Sequence, residues 1–170
     1  PLADPDAISI LAMELSPSPL TLPGEVRASA TLLVKRNLPS STKVKLKIEK
    51  KVLGAAWLPM PCVYNYGSCT YDNFCELLRG VIFSECDREM ENQGIPCECP
   101  IPTGRFTIPT QSFTVTKEHI KKIPVWNWLV NGKYRLTAKF LDVYDRNLGC
   151  IQLQMEVDIN SKKNNKIYSS

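Results

Sequence analysis

The residues with the most chemistry in them are seven cysteines in a chain of 170 residues. Six lie in one window, at Cys62, Cys69, Cys75, Cys86, Cys97 and Cys99, and the seventh, Cys150, stands apart. Such density points to a disulfide framework built in an oxidising compartment. A structural zinc site wants paired ligands on each side of a loop. Here the only close pair is Cys97-Glu98-Cys99 and the only histidine is His119, so no metal is expected. Six window cysteines leave Cys150 over: free, paired between chains, or parted from a partner. The opening Pro1-Leu2-Ala3-Asp4-Pro5-Asp6 reads like the middle of a chain, which favours a lost partner.

Other chemistry is thin. Nucleophilic catalysis needs a base and a group that orients it. His119, among Lys117, Lys121 and Lys122, reads as a solvated loop residue. No G-x-S-x-G, P-loop, H-E-x-x-H or G-x-G-x-x-G occurs, and neither does N-x-S/T. Glu85, Asp87, Glu89 and Glu91 form a charge-dense loop that solvation explains more cheaply than general-acid work. The reading is therefore not an enzyme, with no cofactor.

The net charge is +4, but it is divided by region. Seven acidic and two basic residues between Asp72 and Glu98 make that segment negative and the remainder strongly positive. Lys43, Lys45, Lys47, Lys50 and Lys51 form a basic patch. No aromatic residue alternates with them, as a nucleic-acid stacking platform would need; the patch is read instead as facing a membrane surface. No apolar run reaches the length of a transmembrane helix, and no signal-peptide pattern opens the chain.

The elements that must position these residues are mostly strands. Prolines 17, 19 and 23 predict short edge segments and turns between Ala7 and Thr21. Val26, Ala28, Ala30, Leu32 and Val34 then alternate with polar residues, and Val44, Leu46 and Ile48 alternate with lysines. Asp72 to Val81 predicts one short helix with Asp72 as its N-cap. Arg105–Ile108 and Ser112–Thr116 predict two short strands around Pro109, followed by a basic connection from Lys117 to Lys122. Asn131-Gly132 is a hairpin turn signal. Alternating runs over Tyr134–Phe140 and Ile151–Ile159 complete the pattern, and a polar tail follows. This is an all-β sandwich or open barrel without βαβ spacing. It forms one domain over residues 1–160, with 161–170 as a tail.

Apolar residues also sit where loops should be polar. Ala55 to Met60 contains Trp57, Gly80 to Phe83 contains Val81, Ile82 and Phe83, and Val125 to Val130 contains Trp126, Trp128 and Leu129. Trp57 is equally well read as a plain strand residue. The loop pairs Ile82-Phe83 and Trp126-Trp128 suit the rim of an opening, where a tryptophan meets a lipid interface.

At these residues the chain resembles the MD-2-related lipid-recognition family. The matches are Asp4-Pro5 and Pro23-Gly24, then Trp57 before Pro61-Cys62, Gly67-Ser68-Cys69-Thr70 and Phe74-Cys75. Gly94-Ile95-Pro96-Cys97-Glu98-Cys99-Pro100, Trp128-Leu129, Tyr134-Arg135 and Leu148-Gly149-Cys150-Ile151 follow in order. The resemblance implies a two-sheet antiparallel β-cup of about eight strands around an apolar lipid cavity. It implies disulfides Cys62–Cys69, Cys75–Cys99 and Cys86–Cys97, with Cys150 unpaired here. It places Trp57 and Tyr134 near the entrance, with Val81, Ile82, Phe83, Trp126, Trp128 and Leu129 on mobile rims. The implied function is extraction of a lipid from a membrane, a sphingolipid or ganglioside first, and its presentation to a lysosomal glycosidase in a secreted or lysosomal setting. A phospholipid or fatty acid is the other cargo class. The alternative is a secreted recognition or signalling protein that uses the same cup.

Overall fold

The computed structural model describes residues 6–81, 91–92, 94–122 and 131–159. Strands β1 (Ile8–Ser16), β2 (Leu20–Leu22), β3 (Gly24–Val34), β4 (Lys43–Val52) and β5 (Ala56–Pro59) come first. Three two-residue strands follow, β6 (Cys62–Val63), β7 (Tyr66–Gly67) and β8 (Thr70–Tyr71), then helix α1 (Phe74–Val81). Strand β9 (Gly104–Val115), helix α2 (Lys117–Lys121), β10 (Gly132–Leu141) and β11 (Asn147–Ile159) complete the described chain. One sheet has the order β1-β3-β9. The other runs β2-β11-β10-β4-β5, with β8 also on β4. All pairings are antiparallel except that of β2 with β11.

Several local expectations change. β1 is a nine-residue strand rather than a set of short edge pieces. Its prolines fall after it, at Pro17 and Pro19, so they cost it no ladder hydrogen bond. Pro109 does not split β9, because a register shift between Ala28 and Ala30 of β3 absorbs an extra residue on β9 there. The cap of α1 is Asn73 rather than Asp72: its Oδ1 accepts from the amides of Cys75 (3.1 Å) and Glu76 (3.2 Å). Lys117 to Lys121 forms a helix rather than a plain connection, and His119 belongs to its capping box. The Thr116 side chain accepts from the His119 amide, and His119 Nδ1 accepts from the Thr116 amide, each at 3.2 Å.

The cysteine window docks onto β4. Disulfides join Cys62 to Cys69 and Cys75 to Cys99, with Cα separations of 5.0 and 6.1 Å. Cys97 is disulfide-bonded as well, and its expected partner Cys86 lies outside the described residues. The Leu46 amide donates to the Cys69 carbonyl at 2.8 Å. The Ile48 amide donates to Ser68 Oγ at 3.0 Å. Phe74 sets its ring edge against Phe140, 5.4 Å between centroids. Cys150 is free and exposed on β11. The proposed tail, 161–170, lies outside the described residues.

The sheets meet in two separate cores. One contains Ile8, Val34, Leu38, Val44, Phe74, Ile101, Phe140 and Leu148. The other contains Leu20, Val26, Met60, Tyr134 and Val157. At the first, β11 crosses β1 so closely that a Cβ on Gly149 would lie 2.7 Å from both the Ile8 side chain and its carbonyl oxygen. Gly149→Ala is therefore expected to destabilise by about 1–3 kcal/mol, the cost of overpacking. A thermal melt checks this, and an unchanged midpoint would show that the crossing is not tight.

Candidate functional site

Strand parity decides which side chains face the space between the sheets. β3 runs without a bulge, so Val26, Ala28, Ala30, Leu32 and Val34 share its inner face. Their partners on β1 are Leu15, Met13, Ile10 and Ile8, brought into line by a register shift between Ile10 and Ala12. On β9 the inner positions include Phe106, Ile108 and Phe113. Opposite lie Tyr134, Leu136, Ala138 and Phe140 of β10 and their β11 neighbours Met155, Leu153 and Ile151.

Only the ends of these rows belong to the cores. Ala30, Leu32, Ile108, Leu136 and Leu153 are in neither, and all are partly accessible. Met13 and Phe113, also inward, are 38% and 50% exposed. A packed sandwich would bury these positions against the facing sheet. Among the described residues, the middle of this one is apolar on both walls and closed by neither.

The rest of the expected site is distributed by the same parity. On β4, Val44, Leu46, Ile48, Lys50 and Val52 face inward, while Lys43, Lys45, Lys47, Glu49 and Lys51 face outward. Lys50 is thus on the opposite face from the other four lysines. It pairs in register with Tyr134 on one side and Leu58 on the other. Trp57 pairs with Lys51 and so stands on the outer face of the sheet. The Arg135 guanidinium lies 4.4 Å from its ring centroid and the Lys51 ammonium 6.0 Å away. Tyr134 is buried in the second core. Val81 ends α1, whereas Ile82, Phe83, Trp126, Trp128 and Leu129 lie outside the described residues.

The outer face carries its own charge cluster. Glu49 is 4% exposed, and its carboxylate accepts from Arg135 at 2.7 Å while Lys47 stands 2.9 Å away. Hydrogen bonds from Arg135 and then Lys47 outweigh desolvation and pull the Glu49 carboxyl down to about 2. Lys43 pairs with Asp145 at 3.1 Å. The outer patch is therefore partly neutralised by its own carboxylates.

Sequence reasoning missed Leu53 and Phe113, and it gave Leu58 no role of its own within the apolar run Ala55 to Met60. Leu53, at the tip of the β4–β5 turn, has φ +27° and is fully exposed at 101%. Leu58 is 42% exposed beside Lys50, and Phe113 faces inward while remaining accessible. The turn signal Leu53-Gly54 was available for the first. The other two depend on pairing that only the fold reveals.

Two sheets with apolar, incompletely closed inner walls define a lipid-binding class of β-protein. Residues 3–157 match the family described as E1_DerP2_DerF2, ML domain. The chain belongs to that ML-domain family and is a non-catalytic lipid-binding and transfer protein of it. It is similar to a protein named ganglioside GM2 activator from Mus musculus, 33% identical over 87% of this chain and 74% of that one. A protein of the same name from Macaca fascicularis is 35% identical over 87% and 75%. A Niemann-Pick type C2 protein from Japanese carpenter ant aligns with a TM-score of 0.45 at 14% identity, over 89% of this chain and 93% of that one.

The outer cluster yields a pH prediction. Because the folded Glu49 titrates below its ordinary range, its stabilisation is complete above pH ~4.5 and disappears as pH falls towards ~2. Glu49→Gln is expected to lose about 1.5–3 kcal/mol at neutral pH, the worth of a hydrogen bond to a charged group. The gap from wild type should persist at pH 5 and close below about pH 3. Melting temperatures across pH 2–7 measure it; a gap that stays constant down to pH 2 would contradict the pairing.

Proposed function

We propose that the chain lifts a lipid from a membrane into the space between its sheets and presents it to a lysosomal glycosidase, with a sphingolipid or ganglioside as the favoured cargo. The carrying observation is the unfilled middle between the two cores, walled by Ala30, Leu32, Ile108, Leu136 and Leu153. Each methylene transferred from water to such walls is worth about 0.8 kcal/mol. About ten methylenes would supply roughly 8 kcal/mol before losses, enough to hold an acyl chain reversibly. The name of the two relatives, ganglioside GM2 activator, supports a ganglioside cargo. The disulfides support a secreted or lysosomal setting.

Membrane contact is made by the β4–β5 turn. Leu53 at its tip and Leu58 on β5 are exposed apolar groups suited to a bilayer surface. For the remaining rim we carry over the sequence expectation of Val81, Ile82, Phe83, Trp126, Trp128 and Leu129, of which all but Val81 lie outside the described residues. Lys45 and Lys51, which have no carboxylate partner among the described residues, draw the protein to anionic lipid with about 1 kcal/mol each. Extraction from anionic vesicles is accordingly faster than from neutral ones and slows with added salt.

The decisive variant fills the middle. Ala30→Phe adds a ring where a packed core would resist by about 1–3 kcal/mol. In an unfilled space it instead leaves the melting temperature unchanged or raises it, while uptake of lipid from vesicles falls. Loss of stability together with undiminished uptake per folded molecule would defeat the reading.

A further inference from the structure

The inner row of β4 reads Val44, Leu46, Ile48, Lys50, Val52, so one ammonium stands in an otherwise apolar wall. Lys50 is half-buried. Its Nζ is 5.8 Å from the centroid of the Tyr134 ring, itself only 4% exposed. The stem leans over Gly132, where a Cβ would lie 3.1 Å from the Lys50 Cε; the absence of a side chain there leaves its course open. On the other flank the register partner is exposed Leu58.

Lys50 differs from the other lysines of the strand in its face: Lys43, Lys45, Lys47 and Lys51 stand on the outer side, and two of them are also paired. Lys43 has Asp145, and Lys47 shares Glu49 with Arg135. Among the described residues Lys50 has no carboxylate partner, its register partners are Tyr134 and Leu58, and Ile48 and Val52 flank it on the same face of β4. A partly desolvated cation costs free energy unless an anion compensates it, and an aromatic face does so only in part. An acyl chain lying along Ile48 and Leu136 would bring its own polar end to this position.

We propose that Lys50 is the headgroup-recognition residue of the carrier: its ammonium takes an anionic oxygen group, a carboxylate or a phosphate, at the polar end of the cargo. The assignment rests on the lipid-carrier reading and narrows it to anionic lipids over neutral ones of equal chain. It separates Lys50 from the outer lysines, which act on the membrane surface rather than on the bound molecule.

The test compares cis-parinaric acid with its methyl ester, which share one chain and differ in the carboxylate, by fluorescence titration of the full chain at pH 7.4. Wild type is expected to favour the acid by about tenfold, the scale of one hydrogen bond to a charged group. Lys50→Met should abolish that preference by weakening the acid and sparing the ester, whereas Lys50→Arg should keep it. Lys139→Gln, which removes an outer-face charge, should bind as wild type. Competition by oleate and by lysophosphatidic acid then identifies the preferred group, and inorganic phosphate alone should not displace the probe. Equal binding of acid and ester by wild type, or an undiminished preference in a folded Lys50→Met, overturns the assignment and leaves the carrier reading standing. Binding of neither probe by wild type overturns both.

Discussion

The sheets of this protein are held together at their ends and not in their middle, and the rest of the structure follows from that constraint. A three-stranded sheet cannot cover one that is five strands across. Where β1 and β11 cross at Gly149, the two backbones approach until no side chain fits between them. Ala30 and Leu136 belong to neither core, and among the described residues the second core brings together Leu20, Val26, Met60, Tyr134 and Val157. The small residues Ala28 and Ala30 on the inner row of β3 help keep the middle open, because a methyl group reaches less far across than a longer side chain would.

An open middle removes apolar burial that a chain of this size would ordinarily use for stability. The cysteine window makes up part of the deficit. It ties Cys62 to Cys69 and Cys75 to Cys99, and these links restrict the unfolded chain without requiring a filled interior. The same segment adds Phe74 and Cys75 to the first core and hydrogen-bonds Leu46 and Ile48 of β4 through Cys69 and Ser68. Stability is thus moved to the end and the outer edge of the sandwich, and the inner faces are left to a ligand.

The long strands were legible because alternation is a property of sequence alone. Val26 to Val34 and Tyr134 to Phe140 show their inner faces directly, and β3 keeps that parity throughout. β1 and β9 were not, since each contains a register shift that breaks the period of two. The helix over Lys117–Lys121 was hidden for a different reason. Its start depends on a reciprocal cap between Thr116 and His119, and histidine is not the glutamate or glutamine that signals such a box. Trp57 shows a further limit. Its type suits a cavity entrance, yet its register with Lys51 turns it outward onto Arg135.

The lysines of β4 show why parity matters more than composition for function here. In sequence, Lys43 to Lys51 is one basic patch; in the sheet it is two populations with different electrostatics. On the outer face Glu49 accepts from Arg135 and Lys47, which neutralises the charge and fixes β10 against β4. On the inner face Lys50 stands beside Tyr134 without such a partner among the described residues. Water screens an outer lysine, so its attraction to a membrane fades within a Debye length of about 8–10 Å in ordinary salt. A lysine on a half-buried apolar wall keeps its field, and that field acts on whatever polar group an acyl chain carries in with it.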